Sequence, residues 1–330
     1  MHIPDGFING ATSAGAAVVA AGGVGVAIKQ SGRDLNEKQI PFAGLAAAFI
    51  FALQMLNFPV AAGTSGHLIG GALAAILLGP WVGIVAVAVV VMLQALLFAD
   101  GGVSALGLNM LNMAIVTVAV AWPLFRGLVR VLPKSHAWVL AAAMVSAWAS
   151  VVASSIAFAF EYAIGGQGGV DPGTVFAAMV GVHAVIGIGE GLITAVTVGA
   201  VLAVRPDLVF GTRDLGLAPD GAQTPSRAAV GAFIGFGLAA AAMLVIFVAP
   251  LASPSPDGLE FVAEETGFID TAADHPIGGP LADYGVAGLE SEQAGTIVAG
   301  LVGLLLTFGV SVWLVTFARR RSRTESAADV

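Results

Sequence analysis

The chain is 330 residues long, 58% apolar and only 10% charged, with a formal net charge of −8 and a mean hydropathy of +0.94. A soluble domain carries about 25% charged residues, so this composition argues against a water-soluble fold and predicts an all-α polytopic membrane protein. Cysteine is absent, which excludes disulfides, thiolate zinc sites and cysteine nucleophiles, and leaves nitrogen and oxygen as the only ligands for any metal.

The chain opens MHIPDGFING, with no basic residue before Lys29, so the opening is not the n-region of a signal peptide. A spanning helix needs about 20 mainly apolar residues. Such runs lie near 12–29, 40–57, 65–79, 81–99, 106–130, 137–160 and 174–204. The third is short and rich in glycine, which predicts a partial or tilted span. A polar stretch follows, RPDLVFGTRDLGLAPDGAQTPSR, and residues 206–227 read as a cytoplasmic linker. Two more runs, near 228–249 and 294–317, bring the expected total to about nine.

Orientation follows from the positive-inside rule. With the N-terminus external and nine spans, all thirteen basic residues fall in inner segments, from Lys29, Arg33 and Lys38 to the ArgArgArg run at 319–321 and Arg323. The C-terminus is then cytoplasmic. Nine of the 21 acidic residues lie between Asp257 and Glu292, in the outer loop 250–293. Such a loop is either simply solvated or gathers cations, since clustered charge of one sign raises the local counter-ion concentration.

Five histidines occur: His2, His67, His136, His183 and His275. His136 starts an inner helix and reads as interfacial or capping, and His275 in the acidic loop reads as solvated. His183 and Glu190 share one helix face two turns apart, inside an apolar run. An ionisable residue within a membrane span is a functional candidate by default. The alternative is a buried carboxylate bonded to a neighbouring helix backbone. For Glu190 the expectation is an effect on packing or coupling rather than on metal affinity.

His67 follows a small outer loop, on the same side as His2 in the expected topology. An α-amine, with an ordinary pKa of about 8, loses its proton readily to a metal. The Met1 amine and the His2 amide nitrogen close a five-membered chelate ring, and that amide with His2 Nδ1 closes a six-membered ring. One further imidazole completes a square, a geometry that points to Ni(II) or Cu(II), with Co(II) possible, over tetrahedral zinc. Pro4 then turns the chain away and Asp5-Gly6 finish a turn. With no cysteine or acidic cluster nearby in sequence, the opening reads as the ligand set itself.

The stretches MHIPDGF, FALQMLNFPVAAGTSGHLIGGALAAILLGPW, LQALLFADGGVSALGLNMLNMAIV and GIGEGLITAV resemble the CbiM/NikM family. These are the substrate-capture membrane subunits of energy-coupling-factor ABC transporters for cobalt and nickel. The resemblance covers roughly residues 1–205. SPDGLE at 255–260 resembles the PDGLE domain, related to the small CbiN/NikN accessory subunit and here expected over 228–330. The resemblance implies a metal site at Met1, His2 and His67, in a plasma-membrane protein. GTSGHLIGG is the nickel-type form, whereas cobalt-type members are closer to CSHPTG, which tilts the reading towards nickel. It also implies polar residues that hold the N-terminal segment, for which Asn57, Thr64, Ser65, Gln94, Asp100, Asn109 and Asn112 are the candidates.

Ni2+ or Co2+ is then cargo, not a cofactor. The implied partners are a transmembrane coupling subunit and ATPase subunits, with lipid around the chain and no role for nucleic acid. The chain has no G-x-x-x-x-G-K-[ST] stretch, so ATP would have to be bound elsewhere. Small-residue rows such as Ala16/Ala20 and Ala43/Ala47 suit packing within the bundle or against the coupling subunit. A competing reading is a self-sufficient channel or proton-coupled carrier using His183 and Glu190 as a relay. No serine, cysteine or paired-aspartate constellation supports an intramembrane enzyme.

Overall fold

The computed structural model describes residues 1–34, 39–216, 226–279 and 281–328. Ten α-helices form: α1 (Gly10–Asp34), α2 (Gln39–Gln54), α3 (Gly71–Leu78), α4 (Pro80–Leu97), α5 (Leu106–Val131), α6 (His136–Gly165), α7 (Pro172–Val204), α8 (Arg227–Phe247), α9 (Gly258–Thr266) and α10 (Glu292–Ala328). A minimal antiparallel pair, β1 (Phe58–Pro59) and β2 (Ser65–Gly66), is registered Phe58 opposite Gly66. Among the described residues, seven helices are long and apolar enough to cross a membrane. The other two predicted runs are the 16-residue α2 and the 8-residue α3.

α3 explains the glycine-rich third run. Eight residues rise only about 12 Å, and the chain before them, from His67 to Gly70, is non-helical. Gly79, at φ 87°, adopts a conformation that side chains resist, and Pro80 then opens α4 at a position where no N–H is needed. Residues of α2, α3 and α4 are almost all buried, and they form the centre of the main apolar core. α7 begins at Pro172, capped by Asp171, whose carboxylate accepts the Thr174 N–H at 2.9 Å. α5 contains a π-helical stretch at Met110–Val116, a feature common near functional sites.

The helices of the last third are integral to the bundle. α10 packs on α1 and α2, and α8 packs on α2. At Gly303 a side chain would come within 2.1 Å of the Phe51 ring, so only glycine allows this approach. Ala16, Ala20, Ala43 and Ala47 are all buried within the chain, so these rows pack the bundle itself.

Two expectations change. The polar stretch expected as a linker is packed at its start: Leu208 and Val209 are buried, and Arg126 donates to both Asp214 carboxylate oxygens and to the Gly211 carbonyl. Its remainder, 217–225, lies outside the described residues. The acidic loop is not merely solvated. Its helix α9 buries Leu259, Val262 and Ala263, and Phe268 packs edge-on against Phe7 and tilted on Tyr162. Apolar side chains thus anchor the loop over the N-terminal segment.

Candidate metal centre

The N-terminal arm is largely buried, and Met1, His2, Ile3 and Asp5 are each held by hydrogen bonds. Met1 is 3% exposed and Ile3 fully buried. Asn109 clamps Ile3 from both sides, accepting its N–H at 2.8 Å and donating to its carbonyl at 3.0 Å. The Asp5 carboxylate accepts the backbone N–H groups of Val103 and Ser104 and the Ser104 hydroxyl. The turn after Pro4 is therefore a fitted joint.

At the tip of this arm the Met1 amine meets His67 Nε2 at 2.5 Å. The two candidate donors expected on one side of the membrane are in contact. His2 lies beside them, its ring stacked on that of His67 with centroids 5.1 Å apart. Its ring nitrogens are otherwise engaged: Nδ1 faces Asp100 Oδ1 at 3.1 Å, and Nε2 faces Gln94 Oε1 at 3.1 Å. Burial pushes the His2 pKa down to about 4, against the opposite pull of Asp100, so the imidazole is neutral and able to bind metal at neutral pH.

His67 is presented by the non-helical lead-in to α3, and that break needs explanation. Backbone groups at membrane depth must be bonded inside the protein. Glu190 supplies the acceptors: its two carboxylate oxygens take the N–H groups of Ile69 and Gly70 at 2.6 and 3.2 Å. Gln54 Nε2 donates to the Ile69 carbonyl at 2.8 Å. Glu190 thus secures the loop two residues beyond His67. His183 donates from Nδ1 to the Met179 carbonyl at 2.8 Å, and it lines a small crevice with Met1, His67, Ile186 and Asp257. His183 and Glu190 have separate partners, so no direct relay links them.

The expected supporting residues divide into three groups. Gln94, Asp100 and Asn109 hold the N-terminal arm, as described. Thr64 and Ser65 instead hold the outer segment: their hydroxyls donate to the carbonyls of Pro256 and Ser255, and the Ser65 N–H donates to Pro256 at 2.8 Å. The Asn57 carbonyl likewise accepts the Ser253 N–H. Asn112 is bonded to Glu161 at 2.7 Å. His136 is exposed at the start of α6, and His275 is half-buried, with its Nδ1 against the backbone of Ile277.

A carboxylate that sequence proximity did not single out, that of Asp257, lies beside the Met1 and His67 nitrogens. Its Oδ2 lies 2.7 Å from the Met1 amine and 3.5 Å from His67 Nε2. Burial raises the pKa of this carboxyl, but the facing amine and His67 outweigh it and hold it well below the usual carboxylate range. Tyr284, from the same outer segment, donates to Asp100 Oδ2 at 2.6 Å and accepts from Gln94 Nε2 at 3.0 Å. Both contacts bear on the residues that hold His2. The PDGLE stretch carried one clue to Asp257, a D-x-x-E spacing that forms a capping box on α9. That pattern identifies a helix start and says nothing of the oxygen left over.

No three His, Cys, Asp or Glu side chains converge on one point among the described residues. What converges is mixed: one amine, one imidazole and one carboxylate, with a second imidazole stacked alongside.

The chain is similar to known metal transport proteins. Residues 2–208 match the CbiM family, described as the cobalt uptake substrate-specific transmembrane region, and residues 231–320 match the PDGLE domain. A protein of Archaeoglobus fulgidus described as a fused nickel transport protein, NikMN, is 35% identical over 97% of this chain and 99% of its own. A metal transport protein of Haloquadratum walsbyi is 42% identical over 64% of this chain and 94% of its own. The crystal structure of a truncated transition metal transporter superposes with a TM-score of 0.55 at 29% identity, covering 62% of this chain and 99% of that one.

Proposed function

The chain belongs to the CbiM family of cobalt uptake transmembrane proteins, with a PDGLE domain fused behind it, and on that premise we propose that it captures Ni2+ or Co2+ from outside the cell for an energy-coupling-factor transporter. It is a multi-pass membrane component of nickel or cobalt transport. The observation that carries the proposal is the 2.5 Å approach of the buried Met1 amine to His67 Nε2.

In this reading the amine, the His2 amide nitrogen, His2 Nδ1 and His67 Nε2 surround the cation. The ammonium and the His2 amide would each give up a proton to solvent on binding the metal. Nδ1 exchanges its Asp100 contact for the metal, which needs a turn of the His2 ring. The Asn109 clamp on Ile3 and the Asp5 joint hold the arm while this happens, so little ordering entropy remains to be lost on binding. The basic residues at the far end, such as Arg126 and the Lys29 and Arg321 that line one crevice, support an external position for the centre. Release to the cytoplasm is driven by a transmembrane coupling subunit and ATPase subunits in the cell membrane.

Nickel titration of the purified full chain tests this, with the intact mass confirming a Met1 terminus. The expected result is about one tight equivalent for the wild type. His67→Ala, or an alanine inserted between Met1 and His2, abolishes it while thermal unfolding stays cooperative. Tight binding that survives both changes rules the centre out. In proteoliposomes, metal flux is expected only when the coupling and ATPase subunits are added. Flux through the chain alone favours the channel or carrier reading.

A further inference from the structure

The outer segment between α8 and α10 brings one anionic oxygen into the candidate centre. The Met1 amine is 2.5 Å from His67 Nε2 and 2.7 Å from Asp257 Oδ2, and those two atoms are 3.5 Å apart. The three form a nearly right-angled triangle with the amine at the corner. Metal bonds of about 2.0–2.1 Å meeting at right angles put neighbouring donors about 2.9 Å apart and opposite donors about 4.1 Å apart. All three atoms therefore sit within reach of one cation, the amine adjacent to both others.

We propose that Asp257 is itself a metal ligand, so that the PDGLE segment completes the capture site together with the Met1 amine and His67. This rests on the reading of the amine and His67 as metal donors.

Three independent features aim the oxygen. Asp257 Oδ1 is occupied as the cap of α9, accepting the N–H groups of Leu259 and Glu260 at 2.8 and 3.0 Å, and this leaves Oδ2 turned to the amine. The residues before it are tied by Ser65 and Thr64 to the strand that runs directly into His67. On its other side Gly258 is pressed against Ile186 and His183, where an added Cβ would stand 2.5 Å from Ile186 and 3.0 Å from the His183 ring. The carboxylate has only one place to be.

Charge gives the chemical reason. A divalent cation held by an amine, a deprotonated amide and two neutral imidazoles keeps one net positive charge. The side chains of Met1 and His67 are almost wholly buried there, and a buried unpaired charge is costly. One carboxylate brings the site to neutrality. On loading, the ammonium and the His2 amide each release a proton to solvent, and Asp257 exchanges a hydrogen bond to that ammonium for a bond to the metal. Amine, imidazole and carboxylate together suit Ni2+ and Co2+.

Asp257→Asn in the full chain tests the proposal, because asparagine keeps the capping oxygen and replaces Oδ2 by an amide nitrogen. Asp257→Ser, which also caps, serves if the first variant does not fold. The expected result is at least a 10-fold loss of Ni2+ affinity, and loss of one oxygen neighbour in X-ray absorption of the nickel-loaded protein. An unchanged absorption spectrum overturns the proposal whatever the affinity, because Asp257 then acts only by holding the segment in place. His67→Ala run in parallel separates the two readings. If it loses binding while Asp257→Asn keeps the wild-type spectrum, only the present proposal fails; if His67→Ala binds normally, the donor set fails and this proposal with it.

Discussion

Glu190 accepts the Ile69 N–H at 2.6 Å across 121 positions of sequence, and the Gly70 N–H beside it. A carboxylate in the middle of a spanning helix is therefore the partner of two backbone donors that the break before α3 would otherwise strand. Its sequence position suggested packing or coupling; its contacts place it two residues from His67. Glu190→Gln turns one acceptor into a donor facing an N–H, at a cost of about 1–3 kcal/mol for the unsatisfied group. The expected outcome is a lower unfolding temperature together with an affinity for nickel about 10-fold weaker, read by thermal unfolding and titration on the same sample. Affinity that stays at the wild-type level while stability falls would show that the loop presents His67 without this support.

Asp5 fastens the arm from the opposite side. Its carboxylate receives three donors from residues 103 and 104, and its carbonyl accepts the Ala273 N–H at 2.7 Å. Asp5→Ala leaves the helical bundle untouched but frees the arm that carries both Met1 and His2. Nickel affinity should fall by about 10–100-fold, as for loss of outer partners at other metal sites. Aminopeptidase trimming of the terminus should accelerate in parallel, which mass spectrometry reads directly.

Tyr284 reaches His2 through two intermediaries, Asp100 and Gln94. Removing its hydroxyl in Tyr284→Phe leaves the ring stacked on Phe98 and deletes only the polar contacts. Asp100 then keeps His2 as its remaining partner, and the outer segment no longer bears on the imidazole. The expected change is a loss of affinity of about 10-fold, the lower end for an outer partner, with an unchanged unfolding temperature. A variant that binds nickel like the wild type would confine the segment's influence to Asp257.

At the far end, Arg126 and its hydrogen bonds hold the Asp214 pKa down to about 2. A depressed carboxylate stabilises above its unfolded value of about 3.9, and that contribution is lost as pH falls towards 2. The Asp214 side chain is 60% exposed, so screening limits the pair to about 1 kcal/mol or less. Asp214→Asn should lower stability slightly and equally from pH 5 to pH 8, and should leave metal affinity unchanged. Thermal unfolding across that range, with a single titration, checks both.

Features that depend on local composition and spacing can be read along the chain. Apolar runs of spanning length, the split of basic and acidic residues, and the junction between the CbiM-like and PDGLE parts were all legible there. Met1, His2 and His67 could be nominated together as a candidate set, because a two-residue chelate is a local object, and the fold brings the three side by side. How Met1, His2 and His67 are held is fixed only once the helices have packed. The third run had to be broken for His67 to be presented, and Glu190 and Gln54 had to be at hand to satisfy the exposed backbone. Asp257 looked like one of nine acids in a solvated loop, and its cap motif accounted for it fully. Its second oxygen found the Met1 amine 256 positions away, through Phe268 packing on Phe7 and through hydrogen bonds to Thr64 and Ser65. Contacts of that span leave no periodicity and no motif, since they are fixed by how buried surfaces fit once the helices have packed.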